Sequence, residues 1–466
     1  MLAVLRIYIF VCFFLQHFLS LAQDSTQYII VGKIVLEGNK KTRPSIIFRE
    51  IDIQEGDTIP KHKQKLILEN IQNRLFNINL FIAVEPQWIE KDSLVSDLRI
   101  LFKERFYFFA APIFELADRN FNEWWYDRKR DLTRTNYGAL LVLKNVRGRN
   151  EALEFNAQSG FIGRFRLSYK IPYLDKKQQY GLTLYFSYHQ YKNLAFQTEN
   201  NKLLFLRSEN LLKERYNAEI RLRKRTGFYT FQNIDIRFMK NRIYDTIAIL
   251  NPNYHLNNNP FQQFWMLGYD YIYDNRDFAS YPLKGKRIFA RFEKHGIFKA
   301  DDLDLWFLKA AYQYHKPLSQ KFYSSFALGG RLLYHQGQPY SYASAMGYGN
   351  DLVRGFQLYV VDGQHYLMAK STLKYQLVNI IKNVRFMPLK QFKTIPLAIY
   401  PKIYADMGYA SDNVFSKERN PLANQLLWGT GVGADFVTYY NSVFQIDLTY
   451  NKLGQFGLFF NFESSF

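Results

Sequence analysis

The side chains able to do chemistry are few and scattered. Beyond the first 22 residues, histidines fall at 62, 189, 255, 295, 315, 335 and 365, never closer than 20 positions. That spacing builds neither a His-x-x-x-His helix face nor a His-x-His strand pair, so no metal centre is expected. The only cysteine, Cys12, sits in an apolar leader, which removes thiolate chemistry, disulfides and Cys-based metal sites from the rest of the chain. No Gly-x-Ser-x-Gly elbow occurs. Gly429-Thr430-Gly431-Val432-Gly433 lacks the Lys-Ser/Thr of a phosphate loop and lies in an alternating stretch, where glycine would ease the curvature of a sheet. Asp274 and Asp277 could form an acid–base pair, but Arg276 between them points to a structural charge network. The expectation is a protein without enzymatic activity, cofactor or metal. One arginine stands out instead. In Val353-Arg354-Gly355-Phe356, at the end of the glycine-rich run GYGND, a planar, permanently charged guanidinium lies between apolar residues. Buried, it needs a carboxylate partner; in an external loop it would be solvated. Gly355 would allow a tight turn and a close approach to a wall.

The elements that must hold this arginine depend on where the chain resides. Residues 1–22 read as a signal peptide, with Arg6, the apolar core IYIFVCFFL and small residues before Gln23. No other stretch approaches 18 consecutive apolar residues, so transmembrane helices are not expected. Yet 18% of the chain is aromatic, with 35 Tyr and 42 Phe. From about residue 106 the hydropathy has period 2. Tyr216, Ala218, Ile220 and Leu222 oppose Asn217, Glu219, Arg221 and Arg223; Phe444, Ile446, Leu448 and Tyr450 oppose Gln445, Asp447 and Thr449. An apolar face opposite a charged one fits strands between lipid and an aqueous lumen. At roughly 22 residues per strand and turn, residues 106–466 make about 16 strands of a transmembrane antiparallel β-barrel. The net charge of +20 is spread along these strands. It suits a basic lumen, or rims facing anionic headgroups, better than nucleic acid.

Residues 27–105 read differently, as β-α-α-β-β. QYIIVGKIVLEGNKKT gives a strand and turn, RPSIIFREI a helix opening at Pro44, and EGDTIP a loop. A second helix carries an apolar stripe of Leu66, Ile67, Ile71 and Leu75, and two strands follow. This is one small α+β domain.

A β-barrel preceded by such a domain resembles the Omp85 superfamily, where the small periplasmic domain is called POTRA. Val353-Arg354-Gly355-Phe356 matches the family's motif on a loop that folds back into the lumen. Residues 269–293 resemble its strand-turn-strand signature through Asp274, Arg276, Asp277, Pro282 and Gly285. IYADMGYA resembles the wall segment whose aspartate, Asp406 here, faces the motif arginine. Residues 429–466 resemble the closing hairpin, and Phe466, in phase with Leu458, Phe460 and Phe462, resembles the terminal aromatic read during barrel insertion. NEWWYDRKRDLTRTNYG resembles the junction between POTRA domain and barrel.

The resemblance implies a fold of one POTRA-like domain and a barrel in the outer membrane of a Gram-negative bacterium, with an Arg354–Asp406 ion pair locking the loop. It implies a factor that binds unfolded outer-membrane or secreted clients through the POTRA domain and helps insert or translocate them, beside lipid and periplasmic or lipoprotein accessory subunits. It also implies a weak seam between first and last barrel strands. The POTRA sheet could add a client strand at its edge, or act as a docking platform. A dedicated secretion transporter of the two-partner type, an accessory subunit and a diffusion porin are the alternatives. A single POTRA-like domain distinguishes the chain from the family's general assembly factor, which carries several.

Overall fold

In the computed structural model, residues 28–383, 394–415, 417–438 and 442–463 are described. The signal-peptide reading at 1–22 and the terminal Phe466 lie outside them. The chain forms two compact units that divide after Arg105.

The first unit is a four-stranded sheet with two helices. Its elements are β1 (Tyr28–Glu37), α1 (Pro44–Phe48), β2 (Thr58–Pro60), α2 (Gln64–Asn77), β3 (Phe81–Glu90) and β4 (Val95–Glu104), in sheet order β2-β1-β4-β3. β1 and β4 run parallel; the other pairs are antiparallel. The EGDTIP loop ends in a strand, β2, which pairs Thr58, Ile59 and Pro60 with Ile30, Ile29 and Tyr28. Three residues are too few to show a period of 2. On α2, Ile71 and Leu75 are buried, whereas Leu66 is exposed. The buried side is completed by Arg74, whose Nε donates to Glu50 O at 2.8 Å and whose fork reaches Asp52 at 2.9 and 2.5 Å. A satisfied guanidinium can occupy an inner helix position, so the stripe leaves Leu66 outside.

Asp97 and Glu37 are among the carboxylates held below their usual range in this unit. Asp97 accepts Lys33 N–H at 2.6 Å and pairs with Lys91, and Glu37 accepts the fork of Arg99 at 2.9 and 2.7 Å. Folding therefore favours their charged forms. The resulting stability is complete above the ordinary carboxylate pKa of about 4 and is lost as pH falls through the depressed folded values. The unit is expected to melt at constant temperature from neutrality down to about pH 5 and lower in more acid solution. In Asp97→Asn/Glu37→Gln that acid-dependent drop shrinks, as read from thermal melts across the pH series.

The second unit is a closed ring of seventeen strand segments, running from Phe108–Leu116 to Phe456–Glu463, which meet to close it. Two segments, His365–Tyr375 and Val378–Asn383, both lie along Thr394–Ser411. Between Lys374↔Lys402 and Val378↔Ile399, four steps on one strand face three on the other, a one-residue bulge. Counted as one stave, they bring the ring to sixteen. Alternation sets the faces as expected. Leu184, Ile220, Leu222, Phe444 and Leu448 are exposed on the outside, while Asn233, Asp235, Asp270 and Asp447 are buried on the inside. Several inner charges are paired across staves: Arg291 bonds Asp235 at 3.0 Å and also Asp270, and Arg237 bonds Glu219 at 2.7 Å. NEWWYD does not join the two units. It lies between the first stave and the second, Thr135–Val146, and includes a short π-helical turn, Glu123–Asp127. The first stave, FFAAPIFEL, alternates too weakly to announce that a strand precedes it.

Candidate functional site

Segments joining successive staves alternate between the two ends of the ring. The Val-Arg-Gly-Phe stretch lies in the long segment between Phe322–His335 and His365–Tyr375. It packs against the inner wall, on the same side as Lys402, Tyr404 and Asp406. Their neighbours Ile403, Met407 and Tyr409 face outward and are exposed. Arg354 meets Asp406 as a fork, with Nε to Oδ2 at 2.8 Å and Nη2 to Oδ1 at 2.5 Å. Asp406 Oδ2 also accepts Arg354 N–H at 3.1 Å. Nη2 donates further to Thr372 Oγ1 at 3.0 Å, and the guanidinium carbon lies 3.8 Å from the centre of the Tyr404 ring. The Asp406 side chain is fully buried and that of Arg354 is 16% exposed. Charge-assisted, bidentate and shielded from water, this pair is among the strong polar contacts.

The residues flanking the arginine fasten the backbone. Gly355 has φ of 97°, which an L side chain resists. Its N–H donates to Gln357 Oε1 at 2.7 Å, and its carbonyl accepts Asn451 Nδ2 at 2.7 Å. Val353 and Phe356 are buried in a cluster with Met346, Tyr366, Met368 and Leu427. The wall opposite is cut back to receive them. A Cβ on Gly429 would lie 1.9 Å from Arg354 O, and one on Gly408 would lie 2.7 Å from Val353 Cγ2. Curvature is therefore not the main reason for a glycine at 429; it admits the loop backbone.

The signature stretch enters the ring from the opposite end. Arg276 forks onto Asp274 at 2.8 and 2.7 Å. Asp277 accepts Phe278 N–H and Leu283 N–H at 2.9 and 3.1 Å. Both carboxylates are thus engaged in shaping the turn. Gly285 has φ of 107°, and a Cβ there would meet Asn275 O at 2.5 Å. Pro282 is half-buried beside Tyr281. The Tyr281 hydroxyl donates to Asp435 Oδ2 at 2.8 Å, and Lys402 Nζ bridges Asp435 and Asp447 at 2.6 and 2.8 Å. Polar contacts thus extend along the inner wall from Tyr281 through Lys402 and Tyr404 to Arg354.

The family model of the Omp85 superfamily domain matches residues 145–436, and that of POTRA, described as surface antigen variable number repeat, matches 29–105. The chain belongs to the Omp85 superfamily. No curated protein matches it. Among solved structures it is similar to BamA from Haemophilus ducreyi lacking POTRA domains 1–3, at 14% identity and TM-score 0.50, over 93% of this chain and 84% of that one. It is also similar to CdiB from Escherichia coli, at 8% identity and TM-score 0.50, over 95% and 90%. CdiB from Acinetobacter baumannii aligns at 14% identity and TM-score 0.47, over 94% and 73%. These likenesses are of fold.

Two parts of this Omp85 protein that carry no motif also bear on function. The segment 117–134, at the same end of the ring as the motif loop, lies against both that loop and the last stave. Arg119 Nη1 donates to Gly347 O and Tyr359 O at 2.5 and 3.1 Å, and Asn120 Nδ2 to Gln357 O at 2.9 Å. Asn122 Nδ2 donates to Phe460 O at 3.2 Å, while its Oδ1 accepts Phe460 N–H at 2.9 Å. Asparagines in a stretch dominated by FxxWWY gave no sequence signal.

The second part is β3, an edge strand of the POTRA sheet whose other edge strand is the three-residue β2. The bond from Lys91 N–H to Val95 O fixes the ladder parity, so residues 84, 86 and 88 aim their backbone groups at the edge. Pro86 has no N–H to offer there, and Val84 O already accepts Gln72 Nε2 at 2.8 Å. An added strand would lack a donor mid-way, a device that blunts edges.

Removing either partner of the Arg354–Asp406 pair leaves a buried charge and is expected to cost about 3–5 kcal/mol. Arg354→Ala and Asp406→Ala should each lower the temperature at which the folded, fast-migrating barrel band converts on gels, and the double variant should lose less than their sum. Gly429→Val, which keeps both charged side chains but puts a Cβ where Arg354 O sits, should give a comparable shift.

Proposed function

We propose that this outer-membrane Omp85 protein inserts or translocates other polypeptides by a lateral route, through the junction of its first and last staves. The observation that carries this reading is that the inner route holds the anchored motif loop, whereas at the junction the last stave's Phe460 is met by a side chain. A side chain can be withdrawn from that edge without breaking a strand, and the backbone groups so freed are open to an incoming strand. The POTRA unit, whose edge is interrupted at Pro86, would receive clients or partner subunits on its faces, as a docking platform.

Cys12 is the single native cysteine, and with Cys12→Ser engineered disulfides report cleanly. One cysteine pair should join Phe108–Leu116 to Phe456–Glu463, and a second, Val353→Cys with Gly408→Cys, should staple the loop to the wall. Lateral insertion predicts that the first disulfide abolishes client assembly in reconstituted membranes and that the second leaves it largely intact. The reverse pattern would indicate passage through the lumen, as in a secretion transporter. Outer-membrane proteomics after depletion separates the client sets: broad loss of barrels means assembly, and loss of one secreted protein means dedicated export.

A further inference from the structure

We infer that Asn122 and Tyr126 act as a surrogate strand, occupying an acceptor edge of the last stave that an extended polypeptide can take over. In the pairing of Val443–Asn451 with Phe456–Glu463, the bond from Asn451 N–H to Gln455 O sets the parity. Pairs related to it by two residues exchange ladder bonds, and the pairs between them, Leu448↔Leu458 and Ile446↔Phe460, do not. The backbone groups of Leu458 and Phe460 therefore point away from the neighbouring stave, toward the junction. There the carboxamide of Asn122 meets both groups of Phe460, one donor on its carbonyl and one acceptor on its N–H, as a backbone amide would. The Tyr126 hydroxyl donates to Leu458 O at 3.3 Å. Asn122 is fully buried. Phe121 covers the contact, its ring edge-on to Phe460 with centroids 6.1 Å apart.

The fit is to a partner of one kind, an extended strand supplying N–H and C=O groups in alternation. The outer side chains of Leu458, Phe460 and Phe462 ask that strand for apolar residues at every second position. The surrogate is also tied inward. Asn120 holds Gln357 O, and Gln357 in turn caps Gly355 beside Arg354. Displacing Asn122 pulls on the segment that holds the motif loop, which links occupation of the edge to the Arg354–Asp406 lock.

This inference rests on the lateral reading above, so its test separates the two. In the full chain in lipid nanodiscs, hydrogen exchange of the peptide 456–463 is measured by mass spectrometry. Loss of two bonds in Asn122→Leu should speed exchange at Phe460 by about tenfold or more, and Tyr126→Phe by roughly threefold, with both proteins still heat-modifiable. Asn120→Ala should raise exchange over 353–357. Adding the synthetic strand VFQIDLTYN, the chain's own partner for this stave, should restore protection in Asn122→Leu and leave the parent chain unchanged. Unaltered exchange in folded Asn122→Leu, or no protection by the peptide, would overturn the surrogate strand while leaving lateral insertion standing. Faster exchange combined with normal client assembly across a disulfide-closed junction would instead sink the lateral reading and keep the surrogate strand as a closure. For Tyr126→Phe, an exposed position safe for folding, no change would likewise count against the inference.

Discussion

A backbone amide in hydrocarbon has no water to turn to, and each one left unpaired costs several kcal/mol. That constraint explains most of this molecule. It forces the staves into a ring, makes alternation the dominant pattern of the sequence, and concentrates risk at the one place where chain ends must meet. Elsewhere, hairpin neighbours pair by proximity in sequence. The first and last staves join residues more than 300 positions apart, with no turn to set their register. Side chains from 117–134 serve at that place. An asparagine carries the same donor and acceptor as a peptide group, and it can be withdrawn without breaking a strand.

The same low-dielectric logic governs the interior. Arg291, Arg237 and Arg354 on the inner side each have carboxylate partners on other staves or loops, whereas Arg215 and Arg223 donate to Asn241 and Asn233. Arg354 differs in that its carrier is a loop, so the ion pair fixes a segment as well as a side chain. Its backbone N–H shares the Asp406 carboxylate with its guanidinium, and the wall glycines at 408 and 429 allow contact at main-chain distance. Charge provides the strength of the lock and missing side chains provide its fit.

The POTRA unit shows a contrasting treatment of the same problem. Its β3 edge lies in a separate small sheet and is blunted by Pro86 and by a glutamine from α2. The junction of the barrel is covered by groups that mimic a strand. One edge lacks a donor, whereas the other keeps its full pattern under cover. This is why strand capture is assigned to the last stave.

Much of this was legible in the linear chain. Period-2 alternation, aromatic loading and the absence of an 18-residue apolar run determine a lipid-facing barrel of about sixteen staves, because the environment on each side of a strand dictates residue type at every step. The helix–strand order of 27–105 follows for the same local reason, apart from the three-residue β2 and the exchange of Leu66 for Arg74 on the buried side of α2. Arg354 stands out by residue type as a charge set among apolar neighbours, but its place in a lumen loop and its partner Asp406 were visible only through family resemblance. Nothing local says that residues 52 positions apart will form a fork, or that Gly429 is small because Arg354 O arrives there. The role of Asn122 was not legible at all, since an amide that replaces a strand leaves no periodic trace. Residue type and spacing decided which surfaces are wet, buried or in lipid; which distant groups satisfy one another was decided only when the ring closed and brought them within hydrogen-bonding range.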